Sequence, residues 1–91
     1  MSNATNNYQK DLVHNLAEIQ NDKNMRDFLE VLLTSDEREE MAKRLQIFKR
    51  LLKGQAQRKV AEELGVGIAT VTRGAAELRN KEGKVEKMIK Y

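Results

Sequence analysis

The residues best suited to chemistry in this 91-residue chain are cations. Residues 42–59 hold seven of them (Lys43, Arg44, Lys49, Arg50, Lys53, Arg58 and Lys59) and no acid. The preceding residues 27–40 reverse the balance, with six acids against Arg38 alone. The net charge is only +3, so segregation on this scale points to a polyanion-facing surface beside an acidic one. The plain alternative is a solvated helix face. Other chemistry is poorly supplied. There is no Cys and a single His, His14, which excludes disulfides and the usual zinc clusters. The sequence offers no paired acids with a base, no metal-ligand cluster and no phosphate-cradling glycine loop, so neither an enzyme nor a metal site is expected.

The basic run leads into the most informative stretch, residues 57–74. Val60, Ala61 and Leu64 predict a helix of two turns. Gly65 stands where a sharp turn needs a positive φ, and Val66 follows as an apolar plug. Ile68, Val71, Ala75 and Leu78 predict the buried face of a second helix, and Ala61 is small where the two helices must cross. The exposed face is left with short side chains, Ala69, Thr70 and Thr72, which allow close approach to a major groove. This pattern reads as a helix-turn-helix over roughly residues 57–78, against the plainer possibility of an ordinary helical hairpin.

The elements that must position this head are helical too. The chain has no Pro and five Gly, with abundant Leu, Ala, Glu, Lys and Arg. Leu12, Val13, Leu16 and Ile19 mark one amphipathic helix; after a polar break at residues 21–24, Met25, Phe28, Leu29 and Leu32 mark a second. Thr34 and Glu37 have the spacing of a capping box and predict the start of a third helix at about residue 35, running to about 53. On it, Met41, Leu45, Phe48 and Leu52 form an apolar stripe that Ile47 and Leu51 widen, with Gly54 as a stop. A last helix is expected at about residues 81–90, with Val85, Met88 and Ile89 on one side. The expected organisation is a single domain over 1–91, with core and dimerisation helices at about 8–53 and a DNA-reading head at about 56–79.

A chain this short buries only about 60–65% of its unfolded surface, and without disulfides or metals the remaining route to stability is association. A homodimer is therefore expected. No apolar run approaches the about 20 residues of a membrane span, and no secretory signal pattern is present, so a cytoplasmic protein without a membrane partner is expected.

Certain residues make the sequence resemble the bacterial tryptophan repressor family. They are Leu33-Thr34-Ser35-Asp36-Glu37-Arg38-Glu39, Arg44 with Ile47, Leu51-Leu52-Lys53-Gly54, Gln57-Arg58, and above all Glu63-Leu64-Gly65-Val66-Gly67-Ile68-Ala69-Thr70-Val71-Thr72-Arg73-Gly74. The resemblance covers roughly residues 12–78. It implies an all-α fold of about six helices, an intertwined homodimer whose two heads meet successive major grooves of a palindromic double-stranded DNA operator. It also implies L-tryptophan as corepressor, seated between core and head. Carried onto this sequence, Arg44 and Arg73 flank the indole ring, and the Arg73 fork, followed by Gly74, pairs with the ligand carboxylate. Backbone near Val31 and Leu33, with Thr34, surrounds the ligand's amino end. For DNA, Arg58 reaches a guanine edge, Gly67, Ile68, Ala69, Thr70 and Thr72 lie along the groove, and Gln57 and Lys59 lie near phosphates.

The departures from the family pattern gather at the corepressor site. Where the family has Ser-Asn-Ser after Arg73-Gly74, this chain has Ala75-Ala76-Glu77. Glu77 can pair with an ammonium group, or it can repel a carboxylate and compete for Arg73. Phe48 stands one turn after Arg44 in place of a smaller aliphatic residue, and its ring takes up part of the slot an indole needs. The linker Gly54-Gln55-Ala56-Gln57 is one residue shorter than the family's and lacks its Ser, so the head's first helix loses a strong N-cap and is expected to fray. The leading expectation is a tryptophan-responsive DNA-binding repressor. Its alternatives are a regulator of the same fold with another corepressor or none, and a helical protein-interaction module.

Overall fold

The structure, a computed structural model, describes residues 3–91. Residues 1 and 2 of the expected single domain lie outside the described residues. The described part is all-helical, in six helices: α1 (Asn3–Glu18), α2 (Asp22–Leu32), α3 (Ser35–Leu52), α4 (Gln57–Leu64), α5 (Ile68–Asn80) and α6 (Lys84–Met88). Two compact units are distinguished, one extending to Arg38 and one from Glu39 to Tyr91.

In the first unit, the polar break between α1 and α2 is shorter than residues 21–24. Helix α2 already begins at Asp22, because the Asn21 side chain caps it by accepting the Asn24 amide at 2.9 Å. At its other end, the Arg38 guanidinium donates to the Leu33 carbonyl at 2.7 Å, satisfying one acceptor just past the helix end. The capping box that opens α3 is reciprocal. The Thr34 amide donates to Glu37 Oε1 at 2.9 Å, and the Glu37 amide donates to Thr34 Oγ1 at 3.2 Å. Those contacts, the Thr34 amide first and its hydroxyl second, hold the Glu37 carboxyl below the usual glutamate range. Met25, Phe28 and Leu29 are half-buried, whereas Tyr8, Leu12, Val13, Val31 and Leu32 are exposed.

The core of the second unit is Ile47, Val60, Ala61 and Val71, with Leu51, Leu64 and Val66 packed against it. Among the described residues, these four are the buried hydrophobic ones. Completely burying a valine such as Val60 or Val71 contributes about 1.5–3 kcal/mol, which ties α4 and α5 to one another and to α3. The stripe on α3 therefore differs from the expected one. Ile47, expected to widen it, is its buried centre at 2% exposure, while Met41 and Leu45 are exposed. Ile68, expected on the buried face of α5, is 51% exposed, and Gly74 is buried in the contact with α3. The close contact between α3 and α5 falls six residues further along, at Gly74. A methyl group on Gly74 would stand 2.8 Å from Ile47 Cγ2, so the absence of a side chain lets α5 approach α3 closely. The last helix is shorter than the expected 81–90, because Glu82 (φ 52) and Gly83 (φ 83) both adopt left-handed conformations ahead of Lys84.

Candidate functional site

The helix-turn-helix is built by α4, a tight turn and α5. Gly65 ends α4 in the left-handed conformation (φ 65, ψ 37), and its amide bonds back into the last turn of the helix. The Val66 amide then donates to the Ala61 carbonyl at 3.1 Å, which closes the turn over the core residues. Helix α4 starts from Ala56 and α5 from Gly67, and neither receives a side-chain cap. What fixes α4 instead is a polar clamp. Glu63 pairs with the Arg50 guanidinium of α3 and accepts from Gln55 Nε2 at 3.1 Å.

The residues expected at DNA lie on this head. Arg58, Lys59, Gly67, Ile68, Ala69, Thr70 and Thr72 are exposed, and Gln57 is half-buried. Thr72 Oγ1 donates to Gln57 Oε1 at 2.9 Å, so the start of α4 is joined to the exposed side of α5. Within the basic run, Lys43 pairs with Glu39, Arg44 with Glu40 and Arg50 with Glu63. Among the described residues, Arg58 and Lys59 have no acidic partner, and their charge remains available to an external anion.

Between α3 and α5 lies a cleft of about 650 Å³, within the range of about 300–1,000 Å³ usual for small-molecule sites. Its α3 wall is Glu40, Lys43, Arg44, Ile47 and Phe48, its α5 wall is Thr70, Arg73, Gly74, Ala76 and Glu77, and Val66 completes it. Five of the eight residues expected at the corepressor thus share one cleft: Arg44, Phe48, Arg73, Gly74 and Glu77. Phe48 forms part of its α3 wall. Val31, Leu33 and Thr34 belong to the first unit, where the Leu33 carbonyl accepts from Arg38 and Thr34 serves the capping box. Of the other six lining residues, Glu40, Lys43, Ile47 and Val66 were not expected at the ligand, Thr70 was expected at DNA, and Ala76 was named only as a departure from the family pattern. Glu40 was within reach of sequence reasoning, since it precedes Arg44 by one helical turn and holds that guanidinium at 3.3 Å.

Electrostatically the cleft is mixed, with Lys43, Arg44 and Arg73 facing Glu40 and Glu77 over an apolar floor that includes Ile47 and Phe48. Its volume and mixed lining suit a small charged organic molecule. Among the described residues no group of three or more acids or histidines is placed to hold a metal ion. No helix among them is long and apolar enough to cross a membrane.

Comparison with known proteins gives a consistent result. The family profile described as "Trp repressor protein" matches residues 8–91. A Trp operon repressor homolog of Vibrio campbellii is 52% identical over 54 residues, covering 58% of this chain and 54% of that protein. A homolog of the same description from Photobacterium profundum is 45% identical over 62 residues, covering 67% of this chain and 60% of its own length. One from Aliivibrio fischeri is 47% identical over 58 residues, or 63% of this chain and 54% of that protein. The chain thus spans a little over half the length of the curated relatives it matches. With the profile covering both the helix-turn-helix and the cleft behind it, the chain belongs to the Trp repressor protein family.

Proposed function

We propose that this chain is a cytoplasmic DNA-binding transcriptional repressor that acts as a homodimer on a palindromic operator, with L-tryptophan as its corepressor. One observation carries the reading: Arg44 of α3 and Arg73 of α5, far apart in sequence, face one cleft whose lining also includes Thr70 of the groove-facing segment. A ligand seated there touches the head directly, so its presence bears on how α5 is held. The arginine forks supply planar surfaces for an aromatic ring and paired donors for a carboxylate.

The homodimer is supported by apolar side chains that one chain leaves in water. Leu12, Val13, Val31, Leu32, Met41 and Leu45 are all exposed, Val31 to 83%. Surfaces of this kind favour association. Two heads related by a twofold axis then read two half-sites about one DNA turn apart. Arg58 and Lys59, free of acidic partners, supply charge for the backbone and for a guanine edge.

A second reading is a regulator of the same fold with a different corepressor. It is favoured by one specific feature, the Glu77 carboxylate on the cleft wall.

The test is selection of bound duplexes from randomised DNA, with and without L-tryptophan, followed by affinity measurement across a salt series. The proposal predicts enrichment of a palindrome in the presence of tryptophan and an affinity that falls linearly with the logarithm of salt. Arg58→Ala is expected to cost about 1–3 kcal/mol at the base pair it reads and to relax specificity there. Binding indifferent to both salt and Arg58→Ala rejects the DNA reading. Enrichment independent of tryptophan moves the assignment to the second reading.

A further inference from the structure

A second cleft, of about 660 Å³, lies at the C-terminal end of α3 and shares no lining residue with the first. Its lining includes Gln46, Lys49 and Arg50 of that helix, Lys53 and Gln55 just beyond it, and Tyr91. It holds three cations and no acid, whereas the cations of the first cleft face Glu40 and Glu77. The three are not held alike. Arg50 pairs with Glu63, which also accepts from Gln55 Nε2, so both side chains are tied to α4. Among the described residues, neither Lys49 nor Lys53 takes part in an ion pair or a side-chain hydrogen bond. Their ammonium groups lie instead 5.3 and 4.8 Å from the centre of the Tyr91 ring. A ring attracts a cation without cancelling its charge. The Lys53 amide donates to the Lys49 carbonyl at 3.2 Å, so the two lysines stand one helical turn apart, where like charges repel. The negative end of the helix dipole, roughly half an elementary charge, offsets only a small part of three cations.

We propose that this cleft is a second ligand site, for a nucleoside di- or triphosphate, with the phosphates on Lys49 and Lys53 and the base on the Tyr91 ring. A single carboxylate brings too little charge to neutralise two uncompensated lysines and leaves the ring unused. A chain of phosphates brings several negative charges, with oxygens spread over the distance between neighbouring side chains. The lysine ammonium, a compact charge with three rotatable donors, suits such oxygens. Gln46 adds a carboxamide to the same lining, while Arg50 raises the local potential and stays with Glu63. The Tyr91 side of the cleft suits a flat base. That residue is 68% exposed, so its ring keeps surface free for stacking. Stacking on an aromatic side chain tolerates any base, so the site separates nucleotides from inorganic polyphosphate more sharply than one base from another.

The experiment is calorimetric titration of the full chain with ATP, inorganic triphosphate and adenosine, in the absence of DNA, tryptophan and magnesium. The wild type is expected to bind ATP about tenfold more tightly than inorganic triphosphate, the contribution of one stacked base. Adenosine, without phosphates, is expected to bind at least about tenfold more weakly than ATP. Lys49→Gln combined with Lys53→Gln is expected to weaken ATP and triphosphate by at least about tenfold each. Tyr91→Leu is expected to keep triphosphate binding and to erase the preference for ATP. Lys10→Gln combined with Lys23→Gln removes two exposed charges from the first unit and is expected to leave ATP binding unchanged. The order of the three ligands on the wild type stands even if a variant folds poorly. No binding of ATP up to millimolar concentration overturns the proposal, as does equal affinity of the wild type for ATP and triphosphate or for ATP and adenosine. Equal weakening by the two double variants reduces the effect to net charge and overturns it as well. A Lys49→Gln, Lys53→Gln variant that loses affinity for duplex DNA, in a protein that does not bind ATP, assigns the cleft to backbone phosphates instead.

Discussion

Gly74→Ala sets local helix preference against tertiary packing at the cleft. In a helix interior Ala is favoured over Gly by about 1 kcal/mol, so local propensity alone predicts a gain in stability. The contact with α3 predicts the reverse. A Cβ at position 74 would lie 2.8 Å from Ile47 Cγ2, with Phe48 Cε1 at 3.8 Å and Leu51 Cδ1 at 4.0 Å. The first distance is about 1 Å inside ordinary carbon–carbon contact. Ile47 is β-branched and 2% exposed, so its methyl group has little freedom to rotate away. Relief must come from moving α5 off α3. Overpacking of this kind costs about 1–3 kcal/mol, and offsetting it by the helix gain leaves a net loss centred near 1 kcal/mol. For a domain of this size that lowers Tm by about 4–8 °C.

The assay is thermal unfolding by circular dichroism at one fixed protein concentration, since association makes Tm concentration-dependent. Ile47→Leu moves the branch from Cβ to Cγ and removes the clashing methyl, so Gly74→Ala should cost less in that background than in the wild type. A Gly74→Ala variant more stable than the wild type would refute the close α3–α5 contact and the cleft geometry that depends on it.

The remaining expectations concern local structure. Hydrogen exchange in the first turn of α4 should be faster than in the middle of α3, because Ala56 provides no side-chain cap; equal protection contradicts this. Glu63→Ala frees both Arg50 and Gln55 from α4. Because Arg50 and Glu63 are about a third exposed, the expected loss is about 1 kcal/mol or less, measured by urea unfolding; a larger loss means the clamp is better shielded than it looks. The Glu37 carboxyl is held below its usual range by Thr34, so its stabilising contribution is present above the ordinary glutamate range and fades as pH falls through the lowered value. Glu37→Gln should remove that part of the acid dependence, and an unchanged acid-unfolding profile counts against the capping box as its origin.

Features decided within a few residues were legible in the sequence. The Thr34–Glu37 box, the Gly65 turn and the stop after α3 each depend on local chemistry, and each takes the expected form. The face of α3 was harder to read. Periodicity locates an apolar stripe, but it does not tell which edge packs on the head and which remains exposed in one chain, so Ile47 was placed at the margin when it is the centre. Ile68 illustrates the same limit at the start of α5, where its apolar character suited either a core or a groove-facing position. For the cleft, the family resemblance pointed to Arg44 and Arg73, whereas Glu40, Lys43, Ile47 and Val66 required the crossing of α3 and α5 to be known. That crossing is set by a residue without a side chain, Gly74, whose packing role leaves no mark in hydrophobic periodicity.

The central claim is that the cleft bounded by Arg44 and Arg73 binds the regulatory ligand. Its most direct test is titration of the full chain against L-tryptophan, followed by indole fluorescence and repeated with Arg73→Ala. The account predicts a saturable change near one ligand per subunit that the Arg73→Ala variant loses while remaining folded. No saturable change up to millimolar ligand, or undiminished binding by Arg73→Ala, contradicts it.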